Sequence, residues 1–531
     1  MRAEGLEPPQ LSSLEPKSSA STSSATPANS ITFGRDAASG GLITCAHRSA
    51  AKKMAVLEPA QKPAPAPLEV AAVTGHIQQK MVRIGVMADR ISRLGRRELI
   101  AGLGAAALGP AIPRMAAAQG RPSLTMQAKA DLLALRPGEP DTPIWSLQGA
   151  KPSSDLRFKR GETLQITLEN ELPVPTILNW HGIDGVPAAE ALTVRLPLSP
   201  GATESLVIPL RHAGTLLGDF RLLGDGQARP SRALPLIVGE SEAVAVDRDE
   251  VFVFEDWRLH PDGNANAPGQ DLKDTVPVYT INGKTTLDVP VRARERLRLR
   301  FINGFQRNVI AIKIEKYDVR VMALDGQPGE PFLARDGTLL LAPGTRVDAF
   351  VDATAPPGST SSILLHDGKS PRPIARLIVS NEPPIRDAPL PAAPPLPSNG
   401  LPALLDLKNA LRVDLTLGGR RLSGQQADWV TPASFSNATA PAFRARTGRT
   451  VVLALTNRAD IPQIFHLHGH HFRLLDRLDD GWKPFWLDTL AIDAGQTQRI
   501  AFAAENAGRW LMESVATDWA APRLVRWYNV E

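Results

Sequence analysis

The chain has 531 residues, which is enough for about three or four domains of ordinary size. It is rich in proline (47) and glycine (41) and contains only 5% aromatic residues, a mixture typical of many short strands and turns. The formal net charge is +5, but residues 1–118 carry 14 Lys and Arg against 8 Asp and Glu. The other 46 basic and 47 acidic residues leave a net charge of −1, which gives no reason to expect nucleic-acid binding.

The first 80 residues are rich in Ser, Ala, Pro and Thr and have no sustained apolar pattern. Such a segment buries too little apolar surface to offset the entropy lost on ordering. We therefore predict that residues 1–80 are disordered or a mis-assigned leader, with Met81 or Met87 as the true start. The only cysteine, Cys45, lies in this segment, so the rest of the chain has no disulfide and no thiolate ligand.

Residues 81–118 have the features of an export signal. Arg96 and Arg97 precede a short apolar run over 101–108, and the alanines at 116–118 offer a cleavage site. The apolar run is too short to span a bilayer, which takes ~20 helical residues. The arginine pair resembles a twin-arginine signal. It predicts export to the periplasm by the twin-arginine route, with no membrane span after the signal is cleaved.

Three similar segments recur in the rest of the chain, each a turn, a strand of alternating apolar residues and a final asparagine. They cover residues 161–170, 294–303 and 448–457. Their starts are 133 and 154 residues apart, which suits whole β domains better than a short solenoid repeat. We predict an all-β chain of three consecutive β-sandwich domains. The predicted domains cover 120–240, 244–381 and 401–531, with a proline-rich linker over 382–400.

Histidine motifs follow the first and third repeats, as Asn179-Trp-His181-Gly and His466-Leu-His468-Gly. Together with Tyr279-Thr-Ile-Asn-Gly in the middle domain, they resemble the multicopper oxidases, over residues 120 to 531. The resemblance implies cupredoxin-like Greek-key domains, a type 1 copper, and a trinuclear copper cluster held by four His-x-His pairs. Two imidazoles two residues apart on a strand share a face, so both can point into one metal pocket.

Only part of that ligand set is present in this chain. The four pairs correspond to Asn179 and His181, Asp219 and Arg221, His466 and His468, and Glu513 and Val515. Three of the eight imidazoles of the trinuclear site therefore remain. The positions that match the type 1 ligands are Gln463, Ser514, Trp519 and Leu524. None of these four side chains is the thiolate or imidazole that such a site requires.

The charges of the replacement residues also argue against copper. Arg221 would place a fixed cation where the family holds a copper ion, which is strongly unfavourable in a medium of low dielectric constant. We expect Arg221 to pair with Asp219 and Glu513 on neighbouring strands. The former metal pocket would then be an ion-paired polar core, which is stable if every member is hydrogen-bonded.

The remaining histidines leave two alternatives for a cofactor. In the first, no cofactor binds, and the histidines are hydrogen-bonded residues of the core. In the second, one copper or one zinc ion binds to His181, His466 and His468, with Asp219 or Glu513 as a possible carboxylate ligand.

The resemblance extends to a branch of the family that has lost its copper ligands, travels by the twin-arginine route and supports the cell-division machinery. We therefore expect an exported, non-catalytic structural or binding protein whose partners are envelope or division proteins. Fold-level likeness does not carry function by itself, so division support is a hypothesis. The alternative is an oxidoreductase with copper at a reduced site. The sequence contains no signal for the oligomeric state, because sandwich edges are either capped or paired.

Overall fold

The computed structural model describes residues 121–149, 156–418, 429–476 and 481–531. The predicted leader over 1–80 and the predicted signal over 81–118 lie outside these residues. Within them the secondary structure consists of strands and short 3-10 turns, with no α-helix. No helix in this part of the chain is long and apolar enough to cross a membrane. The turns span Pro187–Ala189, Arg221–Leu223, Arg335–Gly337 and Pro432–Ser434.

The first sandwich consists of two four-stranded sheets around an apolar core. Its strands are β1 (Ser123–Leu133), β2 (Thr142–Gly149), β3 (Arg157–Lys159), β4 (Thr163–Asn170), β5 (Asn179–His181), β6 (Thr203–Pro209), β7 (Gly214–Asp219) and β8 (Leu234–Gly239). The sheets have the orders β2-β1-β4-β6 and β3-β8-β7-β5. Because β5 pairs with β7, Asn179 lies opposite Asp219 and His181 lies opposite Leu217.

The second sandwich is the largest of the three. Its strands are β9 (Arg248–Leu259), β10 (Ala265–Asn266), β11 (Val276–Ile281), β12 (Leu287–Val291), β13 (Arg296–Asn303), β14 (Ile310–Ile314), β15 (Arg320–Leu324), β16 (Gln327–Leu333), β17 (Thr338–Leu341), β18 (Arg346–Asp352), β19 (Thr360–His366) and β20 (Pro371–Val379). One sheet has the order β10-β9-β13-β18-β15-β16, with β11 also paired to β9, and the other has the order β12-β20-β19-β14-β17.

The alternation predicted for β13 is observed, and its leucines and phenylalanine lie in the core of the second sandwich. Arg298 and Arg300 face the other way, and each forms an ion pair with the buried carboxylate of Asp348. Arg300 also donates a hydrogen bond of 2.9 Å to Thr215 Oγ1 of the first sandwich. This face of the sheet is therefore an interface between sandwiches rather than a solvent-exposed surface.

The third sandwich contains a four-stranded and a five-stranded sheet. Its strands are β21 (Leu411–Leu417), β22 (Arg444–Ala445), β23 (Thr450–Asn457), β24 (Gln463–Leu467), β25 (Arg473–Leu474), β26 (Thr489–Ile492), β27 (Thr497–Ala503), β28 (Gly508–Ala516) and β29 (Leu524–Val530). The sheets have the orders β21-β23-β27-β25 and β22-β29-β28-β24-β26. Because β24 pairs with β28, His466 lies opposite Glu513 and Phe465 lies opposite Ser514.

The asparagine that ends each repeat has the same role in all three sandwiches. Asn170, Asn303 and Asn457 each accept a hydrogen bond from the backbone N–H two residues later, and each donates to backbone carbonyls of the loop that follows and of a neighbouring segment. A short amide side chain that satisfies both N–H and C=O groups stabilises a buried turn. The predicted all-β fold is confirmed. The sequence repeat corresponds to the same asparagine-closed turn, which occurs once in each sandwich.

Candidate functional site

A small cavity lies where the three sandwiches meet. It is bounded by β5 and β7 of the first sandwich, by the loop after β13 in the second, and by β24 and β28 of the third. Its volume is about 20 Å³, which is room for about one water molecule or one ion. Its polar lining residues are His181, Asp219, Arg221, Gln306, His466, Glu513 and Arg523.

The tautomer of His466 follows from its hydrogen bonds. His466 Nδ1 lies 3.1 Å from the backbone carbonyl of Asp488, which can only accept, so Nδ1 carries the proton. Thr489 Oγ1 also lies 3.1 Å from Nδ1, and its own proton is donated to Asp488 Oδ1 at 2.8 Å. Burial, with a contribution from the neighbouring His468, lowers the pKa of His466 to about 4, so the ring is neutral. Its Nε2 is therefore a bare lone pair, and it has no hydrogen-bond partner among the described residues.

His181 lies beside His466, with 4.0 Å between the ring centroids and 31° between the ring planes. Its Nδ1 is buried and has no partner in the described part of the chain. Burial and the nearby His466 lower the pKa of His181 well below its ordinary value, so this ring is neutral as well. Gly344 allows the ring to sit here, because a Cβ at that position would lie 2.8 Å from His181 Cε1.

His468 has a different environment from the other two histidines. Its Nδ1 lies 2.9 Å from Glu190 Oε1, and its Nε2 lies 2.9 Å from Glu513 Oε1. Carboxylates only accept, so both ring nitrogens donate and the ring is a cation. Although burial opposes this state, Glu190 and Glu513 raise the pKa of His468 to about 10. His468 therefore has no free lone pair for a metal in this structure.

Glu513 is fully buried at the centre of this hydrogen-bonded group. Its Oε1 accepts from Asn179 Nδ2 at 2.9 Å and from His468, while its Oε2 pairs with Arg523 Nη1. Burial raises the pKa of a carboxylic acid, but Arg523 and His468 outweigh that effect and hold the pKa of Glu513 well below its usual range. The side chain is thus an anion that joins the first and third sandwiches.

The expectation that Arg221 pairs with both Asp219 and Glu513 is half wrong. Arg221 Nε lies 3.7 Å from Asp219 Oδ2, so the first pair exists. The cation that binds Glu513 is Arg523, because the Arg221 side chain turns towards the second sandwich and donates to Gly304 O at 2.6 Å. The strand β7 ends at Asp219 and a 3-10 turn begins at Arg221, so these two residues do not share a strand face.

The structure thus brings His181, His466 and Glu513 together, with one ligand atom from each within 4.8 Å of the others. Asp219 lies on the same cavity wall but outside that group, and the nitrogens of His468 are occupied. The ligand set predicted from the sequence stays a prediction. Two charged partners were missed, Arg523 and Glu190. Arg523 precedes β29, the strand that pairs with the one carrying Glu513, whereas the sequence has no signal for Glu190.

Comparison with known proteins decides the family. Models described as multicopper oxidase match residues 133–217, 248–360 and 405–531, which together make up more than half of the chain. The chain belongs to the multicopper oxidase family. It is 24% identical to multicopper oxidase MmcO of Mycobacterium tuberculosis, over 68% of this chain and 78% of that protein. It is 23% identical to a laccase of Haloferax volcanii, over 70% of this chain and 75% of that protein.

Solved multicopper oxidases share the fold. The structure from Pseudomonas thermotolerans aligns with a TM-score of 0.65 at 24% identity, over 77% of this chain and 99% of that one. Lac15 from a marine microbial metagenome aligns with a TM-score of 0.63 at 25% identity, over 77% of this chain and 100% of that one. These similarities confirm the predicted cupredoxin-like β-sandwich architecture.

Three of the four positions that the resemblance assigns to the type 1 copper, Gln463, Ser514 and Leu524, are neighbours in the third sandwich, whereas the Trp519 side chain contacts the second sandwich. Ser514 Oγ donates to Gln463 Oε1 at 3.2 Å, and Leu524 lies opposite Ser514 on the neighbouring strand. Trp519 donates from Nε1 to Ala267 O of the second sandwich at 3.1 Å. A hydroxyl, an amide, an indole and an alkyl group provide no thiolate or imidazole for copper.

The residues of the cavity do not fit the trinuclear copper cluster of the family. Among the described residues that line it, the unpartnered ring nitrogens are His181 Nδ1 and His466 Nε2, far fewer than three copper ions require. Two guanidinium groups, those of Arg221 and Arg523, line the same small space. Fixed cations at contact distance from several copper ions are electrostatically unfavourable.

Proposed function

We propose that this multicopper oxidase homologue has no oxidase activity and acts as an exported structural or binding protein. The observation that carries the proposal is the ion-paired chain Arg523–Glu513–His468–Glu190, in which Glu513 and His468 stand at positions that the resemblance assigns to trinuclear copper ligands. The positive charge that copper ions bring to the family's pocket is here supplied by a guanidinium and an imidazolium. These cations are part of the polypeptide, so the positive charge of this pocket is present without a metal cluster.

The absence of type 1 ligands supports the same proposal. When copper is bound, the family's type 1 site accepts electrons from the substrate, and its cysteine thiolate leads towards the cluster. In this chain Ser514 occupies the cysteine position and is hydrogen-bonded to Gln463, which occupies a histidine position. Both side chains are buried and satisfied, so they form a neutral core contact rather than an electron entry site.

Copper loading tests the loss of oxidase activity. The purified full chain is exposed to copper, dialysed, and assayed for metal content, visible absorption and oxygen uptake with a phenol. We expect at most one copper per chain, no blue absorption band and no oxygen uptake above that of buffer. The Haloferax volcanii laccase, treated identically, is the control for loading. Several coppers per chain with a blue band, or substrate-dependent oxygen uptake, would overturn the proposal and favour a working oxidoreductase.

We further propose that the protein acts in the periplasm and supports the envelope or the division machinery. This part is supported by the predicted twin-arginine signal over 81–118 and by the resemblance to the ligand-depleted, division-associated branch. Capture of cross-linked partners from the envelope, together with microscopy of a deletion strain under envelope stress, tests it. Filamentous or misshapen cells that are rescued by the full chain are expected. A deletion strain with normal shape and division under stress would contradict the division role.

A further inference from the structure

Two ring nitrogens without a hydrogen-bond partner among the described residues, His181 Nδ1 and His466 Nε2, belong to neighbouring side chains that line the cavity from two different sandwiches. From their placement we infer that His181, His466 and Glu513 form a mononuclear site for one divalent transition-metal ion of the zinc type. This ligand set of two imidazoles and one carboxylate differs from the all-histidine cluster that the family's motifs imply. The inference goes beyond the proposed structural role and does not depend on it.

The geometry suits one small ion. The three ligand atoms lie within 4.8 Å of one another, and the cavity of about 20 Å³ between them holds one ion or water. In a tetrahedral zinc site, nitrogen ligands at ~2.0–2.1 Å from the metal are roughly 3.3 Å from one another. The ligand atoms, which lie within 4.8 Å of one another here, must therefore move closer together by at most about 1.5 Å. Two histidines and one glutamate with an open fourth position is a common zinc ligand set.

The second layer of hydrogen bonds already orients one of the ligands. The Asp488 carbonyl and Thr489 Oγ1 both accept from His466 Nδ1, which fixes the ring and leaves Nε2 as the lone pair beside the cavity. A carbonyl or hydroxyl that holds the distal N–H of a histidine is the usual support of a metal-bound imidazole. A buried lone pair without a partner is costly, and a bound cation removes that cost.

The charges of the residues that line the cavity are compatible with one metal ion but not with three. Arg221 is offset by Asp219 and by backbone carbonyls, and Arg523 is offset by Glu513, so the lining has no net excess of positive charge. A metal that takes Glu513 must displace the guanidinium of Arg523. The negative charges of Asp225 and Asp219 already stabilise Arg523, so two carboxylates remain near the guanidinium when Glu513 binds the metal.

The inference is tested directly by metal titration of the full chain after its metal has been removed with a chelator. Titration with Zn²⁺ by calorimetry is expected to give one ion per chain, and Co²⁺ in place of zinc is expected to give the visible absorption of a four-coordinate nitrogen and oxygen site. H181Q and H466Q should each lower the affinity at least 100-fold. H468Q should lower the affinity less than H181Q or H466Q, because His468 contacts the ion only through Glu513, and H366Q, at the end of β19 in the second sandwich, is the matched control.

The Co²⁺ spectrum of the unmodified chain keeps the test valid even if a histidine variant fails to fold. Absence of stoichiometric Zn²⁺ binding, or undiminished binding in folded H181Q and H466Q, would overturn the inference. Loss of binding in H468Q with retention in H466Q would overturn the assigned ligand set. A protein that binds no metal would leave the proposed non-oxidase role intact, whereas several coppers with oxygen uptake would refute that role, so the two failures are distinguishable.

Discussion

Arg346 of the second sandwich donates two hydrogen bonds, of 2.8 and 2.7 Å, to the two carboxylate oxygens of Asp488 in the third. The same guanidinium donates to the backbone carbonyl of Thr215 in the first sandwich at 3.1 Å. Burial raises the pKa of a carboxylic acid, but Arg346 and its hydrogen bonds hold the pKa of Asp488 far below its usual range. One side chain thus joins all three sandwiches beside the cavity.

We predict that D488N is strongly destabilising. The substitution removes the bidentate carboxylate of the buried Arg346 cation and leaves Asp325, 3.6 Å away, as its ion-pair partner; breaking a buried ion pair typically costs about 3–5 kcal/mol of unfolding free energy. Urea unfolding followed by tryptophan fluorescence measures the effect. The matched control is D288N, because Asp288 and Arg376 form an equally bidentate pair, at 2.7 and 2.7 Å, on the surface. Exposed pairs contribute little, so D288N should leave the unfolding midpoint unchanged. Equal losses in both variants would contradict the prediction.

We predict that stability falls between about pH 6.5 and pH 9 because of His471. Its Nδ1 lies 2.6 Å from Asp184 Oδ2 and its Nε2 lies 2.9 Å from Asp325 O, so both nitrogens donate. Burial lowers the pKa of His471, but Asp184 outweighs it and raises the pKa to about 9. The pKa of His471 is higher in the folded protein than its value of ~6.5 in the unfolded chain, so the stability that the charged ring contributes is fully present below pH ~6.5. This contribution is lost as the pH rises through about 9.

The pH dependence of the free energy of unfolding checks this prediction. The free energy of unfolding of H471Q should fall less steeply with pH than that of the unmodified chain. The difference should be up to about 1.4 kcal/mol per pH unit, which is the contribution of one proton. His468, whose pKa is raised to about 10, contributes in the same direction, so some slope should remain. An unchanged slope in H471Q would show that Asp184 does not raise the pKa of His471 in the folded protein.

We predict that G469A is far more damaging than G448A. Both glycines have positive φ angles, +74° and +83°, which an L residue adopts only with strain. A Cβ at Gly469 would lie 2.1 Å from Trp510 Cε3, whereas a Cβ at Gly448 would have nothing within 4 Å. G448A should therefore cost about 1 kcal/mol and G469A more than about 3 kcal/mol. Thermal unfolding measures both, and similar losses would refute the importance of the contact with Trp510.

We predict a large coupling between Glu513 and Arg523. In metal-free protein, E513Q leaves Arg523 and His468 without their shared carboxylate and should cost about 3–5 kcal/mol. The double variant E513Q/R523M should lose less than the sum of the two single variants, because it removes the uncompensated guanidinium. S514A is the control on the same strand, since it removes only a neutral hydrogen bond worth about 1 kcal/mol. Additive losses in the double variant would show that the pair is not coupled.

The sequence by itself determined the fold and predicted which of the family's copper-ligand positions hold other residues. Apolar alternation places residues on one strand face by the geometry of the backbone, and each terminal asparagine closes a local turn, so both signals are short-range. The histidine motifs could be assigned to ligand positions because strand register is also local. That Ser514 and Gln463 would be neighbours followed from these assignments.

Only the tertiary structure decided which charges meet. Glu513 binds Arg523 rather than Arg221, and His468 binds Glu190, a residue 278 positions earlier in the chain. These pairings depend on side-chain rotamers and on the packing of separate sandwiches, where low dielectric makes each Coulomb contact strong, and no sequence period records them. The same packing leaves His181 Nδ1 and His466 Nε2 without a hydrogen-bond partner among the described residues, and it groups these two histidines with Glu513 rather than with His468.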